Sequence, residues 1–132
     1  MTASIATIAL VVRDYDEAIA WYVRCLGFEL VSDVALGEGK RWVSVAPAGG
    51  GGAALLLAEA ATPAQADRVG DQTGGRVFLF LETGDFDAQH ARMLAEGVVF
   101  LEAPRSEPYG RVAVFADLYG NRWDLIQPAA KS

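Results

Sequence analysis

The sequence predicts an α+β fold made of two βαβββ modules in tandem. Three observations lead there. Short apolar, β-branched runs are separated by polar and glycine-rich turns, the pattern of strands. In each half, one stretch with helical spacing follows the first of these runs. Four landmarks also recur at a nearly constant offset. Asp14 and Asp85 differ by 71 positions, Gly27 and Gly97 by 70, Arg41 and Arg111 by 70, and Gly52 and Gly120 by 68. Repeats of this kind mark a duplicated structural unit.

The elements follow in chain order. Ile5 to Val12 is apolar and β-branched and reads as a strand. Asp14 is placed to cap a helix, with Glu17 three residues later as in a capping box. Ala18, Ile19, Tyr22, Val23 and Leu26 then recur at helical spacing, and Gly27 stops the helix. Strands are predicted at Phe28–Val31, Arg41–Ala46 and Ala53–Ala58. Thr62 followed by Pro63 is an N-cap and N1 pair, so a short connecting helix is expected before the turn at 71–75. The second set begins with a strand at Arg76–Glu82. Asp85 then caps a helix whose stripe is Phe86, His90, Met93 and Leu94, and Gly97 ends it. Strands at Val98–Leu101, Arg111–Phe115 and Asn121–Ile126 complete it. The expected organisation is one domain over 1–132, with module one at 5–60, a connector at 61–75 and module two at 76–127.

Composition narrows the function classes. The 132 residues are 52% hydrophobic and 21% charged, a globular balance. No apolar run approaches the roughly 18 residues of a membrane span, so no membrane partner is expected. The net charge is −6 and both halves are acidic. With only two lysines and no basic cluster, no nucleic-acid partner is expected. The single cysteine, Cys25, excludes an internal disulfide and suits a reducing, cytoplasmic setting. The single histidine, His90, restricts metal chemistry, because zinc, iron or nickel sites usually draw on two or more His or Cys ligands. Gly49–Gly52 lack the following helix and lysine of a phosphate loop and read as a plain turn.

Two segments carry a family resemblance. Asp14-Tyr-Asp-Glu-Ala-Ile-Ala-Trp-Tyr-Val-Arg-Cys-Leu-Gly-Phe28 resembles the first helix of the vicinal oxygen chelate superfamily, also called the glyoxalase/bleomycin resistance/dioxygenase superfamily. Phe115-Ala-Asp-Leu-Tyr-Gly-Asn-Arg-Trp-Asp-Leu-Ile126 resembles its second signature, with Leu118 in place of the usual proline. The resemblance runs from Ile5 to Gln127. It implies a curved mixed sheet around a cleft with helices outside, and a homodimer. It does not imply one reaction, since the fold hosts isomerases, lyases, dioxygenases, thiol transferases and drug-binding proteins.

The resemblance also implies where metal ligands would lie: positions 7, 56, 78 and 124. They hold Thr7, Leu56, Phe78 and Asp124, and only Asp124 is a competent ligand. Strand alternation and the repeat extend the inferred cleft to Phe80, Glu82 and Arg122, and the resemblance implies that Trp42 and Ser44, with their repeat partners Val112 and Val114, also face it. An apolar pocket with a few polar groups suits a small organic ligand. Alternative roles stay open for these residues. Asp124 is either a ligand anchor or the partner of Arg122; Glu82 is either a site residue or simply solvated. Trp42, Phe78 and Phe80 are either cleft or core. The leading function is metal-independent binding of a small apolar or aromatic molecule, with no cofactor. The alternative is a metal-dependent glyoxalase-, lyase- or dioxygenase-type enzyme with Asp124 as one ligand. A third reading is a part of a larger assembly.

Overall fold

Side-chain alternation and capped helices build the two modules, and the computed structural model describes residues 2–130. The chain divides into two compact units, one up to Val69 and one from Gly70. The α+β class and the tandem βαβββ order are both present. Among the described residues, no helix is long and apolar enough to cross a membrane.

The first unit runs β1 (Thr7–Val12), α1 (Tyr15–Leu26), β2 (Phe28–Gly37), β3 (Lys40–Pro47), β4 (Ala54–Glu59) and α2 (Pro63–Ala66). Its sheet has the order β1-β4-β3-β2, with β1 parallel to β4 and the other pairs antiparallel. The Asp14 carboxylate accepts from the Glu17 N–H at 2.8 Å, the cap that the sequence predicts. Gly27 closes α1 in the left-handed region, at φ 73°. Ala18, Tyr22 and Cys25 of α1 have no exposure, and neither do Leu10, Val12, Val43, Val45 and Leu57 of the strands. Thr62 caps α2 by accepting from Gln65 N–H at 3.1 Å, with Pro63 at the first turn.

The β2 strand extends to Gly37, six residues beyond the predicted end at Val31. Pairing with β3 through a tight turn at Glu38 and Gly39 carries it on, although Ser32 and Asp33 weaken its apolar pattern. Local propensity is overridden here by the hairpin ladder.

The second unit runs β5 (Val77–Glu82), α3 (Phe86–Ala95), β6 (Val99–Phe100), β7 (Arg105–Glu107), β8 (Gly110–Ala116) and β9 (Arg122–Pro128). Its sheet has the order β5-β9-β8-β6, with β7 also on β8. The predicted strand at Val98–Leu101 is reduced to two residues, and β7 is an added strand. Pro104 brings no N–H to a ladder, and the Glu102 carboxylate accepts the Val114 N–H at 3.0 Å instead. The α3 stripe is narrower than predicted. Phe86 and Met93 are buried, whereas Leu94 is half exposed. His90 packs its ring between Phe86 and Phe100, with centroids at 5.6 and 4.4 Å.

One device recurs in both units. The Arg41 guanidinium lies over the Tyr15 ring, 5.0 Å from its centroid, and bonds Asp16 and Asp33. In the second unit Arg111 lies over the Phe86 ring at 4.9 Å and bonds Asp87. Each time an arginine from a later strand of the unit stacks against the aromatic residue that opens the helix.

Gly70 begins the second unit at φ 79°, and a Cβ there would lie 2.1 Å from the Tyr119 carbonyl oxygen. Backbone on both sides leaves no room to relax. Gly70→Ala is expected to cost about 2–3 kcal/mol, from the clash added to the left-handed strain. Gly49→Ala, at φ 93° in open space, is expected to cost only about 1 kcal/mol. Urea denaturation of both variants measures the difference; equal costs would remove the close approach at Gly70.

Candidate functional site

With one face of each sheet sealed under its helix, the other face carries the candidate residues. In the first unit Thr7, Trp42, Ser44 and Leu56 lie on this open face, opposite the buried Leu10, Val43, Val45 and Leu57. Thr7 is exposed, Trp42 is 45% exposed and Leu56 is half-buried. Ser44 is buried, and its hydroxyl lies 2.6 Å from that of Ser32 on the paired strand. Part of its hydrogen-bonding capacity is thus already spent within the sheet.

The β3–β4 ladder pairs Ser44 with Leu56 and Val45 with Leu55. Past Trp42 and Ala58 the first unit opens into a recess of about 980 Å³, lined by residues that include Tyr15, Leu36, Arg41, Trp42, Leu56 and Glu59. The Tyr15 hydroxyl accepts from the Arg41 N–H at 3.2 Å, and the Tyr15 N–H donates to Glu59 at 3.2 Å. These bonds fix the tyrosine where the strands part.

In the second unit Phe80, Asp124 and Val114 lie side by side across β5, β9 and β8. Phe80 is 65% exposed, Val114 is partly buried and Asp124 is 7% exposed. Glu82 and Arg122 are exposed, and Val112 is fully buried. The β5–β9 register slips at Phe78, because Val77 opposes Arg122 and Leu79 opposes Trp123. Phe78 sits in that irregularity, so strand alternation does not assign its face as it does for Phe80.

Sequence reasoning missed two residues here, Glu102 and Arg105. Pairing with Val112 puts Arg105 on the same open face. Its Nε donates to both Glu102 oxygens at 3.2 and 3.3 Å. Its Nη1 donates to Glu107 at 2.6 Å and to the Tyr109 hydroxyl at 3.3 Å. The signal was present as two glutamates flanking an arginine just after Pro104. It reads as a charged loop until β7 is known.

Asp124 is the least compensated of these charges. Its Oδ1 is buried and accepts no hydrogen bond from any described residue. No hydrogen bond or ion pair joins it to Arg122, so the expected alternative pairing does not form. Burial pushes its carboxyl above the usual range; Arg105 pulls it down and Glu102 pushes it up. A raised carboxyl binds its proton more tightly in the folded chain than in the unfolded one. Stability from this group is therefore greatest below the unfolded value of about 3.9. It is lost as pH rises through the folded value. Asp124→Asn keeps the shape without the charge. At pH 7 it is expected to stabilise by up to about 1 kcal/mol, with the gain fading toward pH 3. Thermal melts from pH 3 to 7 check this; a less stable variant at pH 7 would mean that the charge is compensated.

Comparison with known proteins agrees with this architecture. The profile of the Glyoxalase/Bleomycin resistance protein/Dioxygenase superfamily matches residues 4–125. An uncharacterized protein of Shewanella frigidimarina (strain NCIMB 400) is 55% identical over 128 residues, covering 96% of this chain and 95% of that protein. The crystal structure of UcmS2 superposes with a TM-score of 0.82 at 29% identity, covering 96% of this chain and 98% of the other. TnmS3, an antibiotic binding protein from Streptomyces sp. CB03234, superposes with a TM-score of 0.77 at 32% identity, covering 97% of this chain and 98% of its own. With the duplicated βαβββ order and a matching profile over nearly its whole length, the chain belongs to the glyoxalase/bleomycin resistance protein/dioxygenase superfamily.

Proposed function

We propose that this protein binds a small apolar, aromatic organic molecule on its open sheet faces without a metal ion. The observation that carries the reading is Phe80: a large aromatic side chain, 65% exposed, in register beside a buried carboxylate. An exposed aromatic next to a desolvated polar group is a binding arrangement, because neither contributes to the core. On the first unit's face Trp42 and Leu56 add apolar surface, with Thr7 and Ser44 as polar groups; on the second unit's face Val114 adds apolar surface over the fully buried Val112, with Glu82 and Arg122 as polar groups. Phe78 is a further contact in this reading. The similarity to an antibiotic binding protein supports a small-molecule ligand.

The metal of the family's enzymes does not fit the residues present. Leu56 and Phe78 have no donor atom, and Thr7 offers only a weak hydroxyl. One carboxylate does not hold a divalent transition metal in water. Among the described residues, no three His, Cys, Asp or Glu side chains gather in a way that would complete such a site.

A thermal-shift screen of polycyclic aromatic compounds beside zinc, nickel, manganese and iron(II) salts tests the reading. An aromatic compound at 100 times its dissociation constant is expected to add about 2.7 kcal/mol of stability, and the ions none. Phe80→Ala is expected to change stability by less than about 0.5 kcal/mol. It is expected to weaken the aromatic compound about tenfold. A rise with a metal ion and none with any aromatic compound would sink the proposal.

We further propose a cytoplasmic homodimer. The edge strand β2 exposes Leu30, Val31, Val34 and Leu36 by 46–59% each. An edge so long and apolar is an association hazard unless a partner covers it. Light scattering at micromolar concentration is expected to give twice the chain mass; a monomer would count against the assembly.

A further inference from the structure

The open face of the second unit carries more carboxylates than cations around Asp124, whose Oδ1 accepts from no described residue. Glu82, Glu102, Glu107 and Asp124 stand on it or at its rim against two cations, Arg105 and Arg122. The face therefore carries two excess negative charges. Arg105 is already engaged by Glu102, Glu107 and Tyr109. Arg122 is exposed and makes no bond to Asp124. That leaves Asp124, 7% exposed, with an Oδ1 that accepts from no described residue. A buried acceptor left unsatisfied is costly, and a buried charge left unpaired more so.

Three kinds of ligand group meet this oxygen differently. An apolar group leaves both the acceptor and the charge unanswered. A hydroxyl satisfies the acceptor but leaves the charge. A protonated amine supplies both a donor and a countercharge, and the excess carboxylates around it add attraction. A carboxylate on the ligand is repelled. Phe80, beside Asp124 in register and largely exposed, offers a surface for an aromatic body joined to the amine by a short chain. A cation close to such a ring is favoured again by its π-face.

We propose that this face selects aromatic amines, with the ammonium group of the ligand on Oδ1 of Asp124 and its ring along Phe80. The inference rests on the binding function proposed above and adds the charge class of the ligand. It makes Asp124 the specificity-determining residue, in the place where the family's enzymes carry a metal ligand.

Three naphthalene probes of matched size test it: 2-(1-naphthyl)ethylamine, 2-(1-naphthyl)ethanol and 1-naphthylacetate. Dissociation constants are measured by calorimetry at pH 7 and 0.15 M salt. The amine is expected to bind about tenfold or more tighter than the alcohol, as for a charged over a neutral hydrogen bond. The acetate is expected to bind weakest. In Asp124→Asn the preference of amine over alcohol is expected to collapse to within about twofold, with the alcohol itself little changed. Equal binding of amine and alcohol by the wild-type protein would overturn the amine selection while leaving aromatic binding in place. A preference that survives in Asp124→Asn would overturn the role of Asp124. Failure of all three probes to bind at millimolar concentration would overturn both this inference and the function on which it rests. The wild-type comparison stands alone if the variant does not fold.

Discussion

The apolar seal between helix and sheet governs the rest of this structure. In the first unit Leu10, Val12, Val43, Val45 and Leu57 reach zero exposure beneath Ala18, Tyr22 and Cys25. In the second, Ala113, Phe115 and Leu125 do the same, with Met93 and Phe86 above them. Because side chains alternate along a strand, sealing one face fixes which residues occupy the other. A slip of one residue would bury Thr7 and Asp124 under a helix and expose the leucines. The open faces are thus consequences of the seal, and their chemistry is free to vary while the seal is not.

The stacked arginines tie helix to sheet at the same point in both units. Arg41 over Tyr15 and Arg111 over Phe86 each brace the first helical turn against a later strand. Aspartates one residue past the aromatic, Asp16 and Asp87, receive the guanidinium. The duplication preserved this brace while the open faces drifted apart. Leu56 in one unit corresponds to Asp124 in the other, and Ser44 to Val114.

Most of the fold was legible because it rests on local signals. The caps at Asp14, Thr62 and Asp85, the β-branched runs and the repeat of about 70 residues all lie within short windows of sequence. What escaped depends on contacts between distant residues. The extension of β2 needs β3 as its template. The shortening of the predicted strand to β6, ahead of the added strand β7, goes with Glu102 reaching Val114, twelve positions away. The site was legible in part for the same reason. Alternation picked out Phe80, Asp124, Val112 and Trp42. It does not assign the face of Phe78, where the register slips, and does not reach Arg105, whose face is set by a strand that the sequence does not announce. Spacing along one strand suggests a pairing of Asp124 with Arg122, but spacing alone does not set where a long side chain goes. The strand puts both on one face, but Arg122 is exposed and makes no bond to Asp124.

The break between β6 and β7 acts as an expansion joint. At that point a side-chain carboxylate, rather than backbone, meets the β8 N–H of Val114. Beyond Leu101, whose N–H donates to the Val114 carbonyl at 2.8 Å, residues 102–104 belong to no strand. Residues added or removed there would be absorbed locally, without shifting the register of β8 on β9 or disturbing the layer beneath α3. The wall that holds Arg105 and Glu102 is thus the part of the second unit that can be rebuilt in length and charge while the core keeps its packing. A lineage or a designer seeking a different ligand would find the least resistance there.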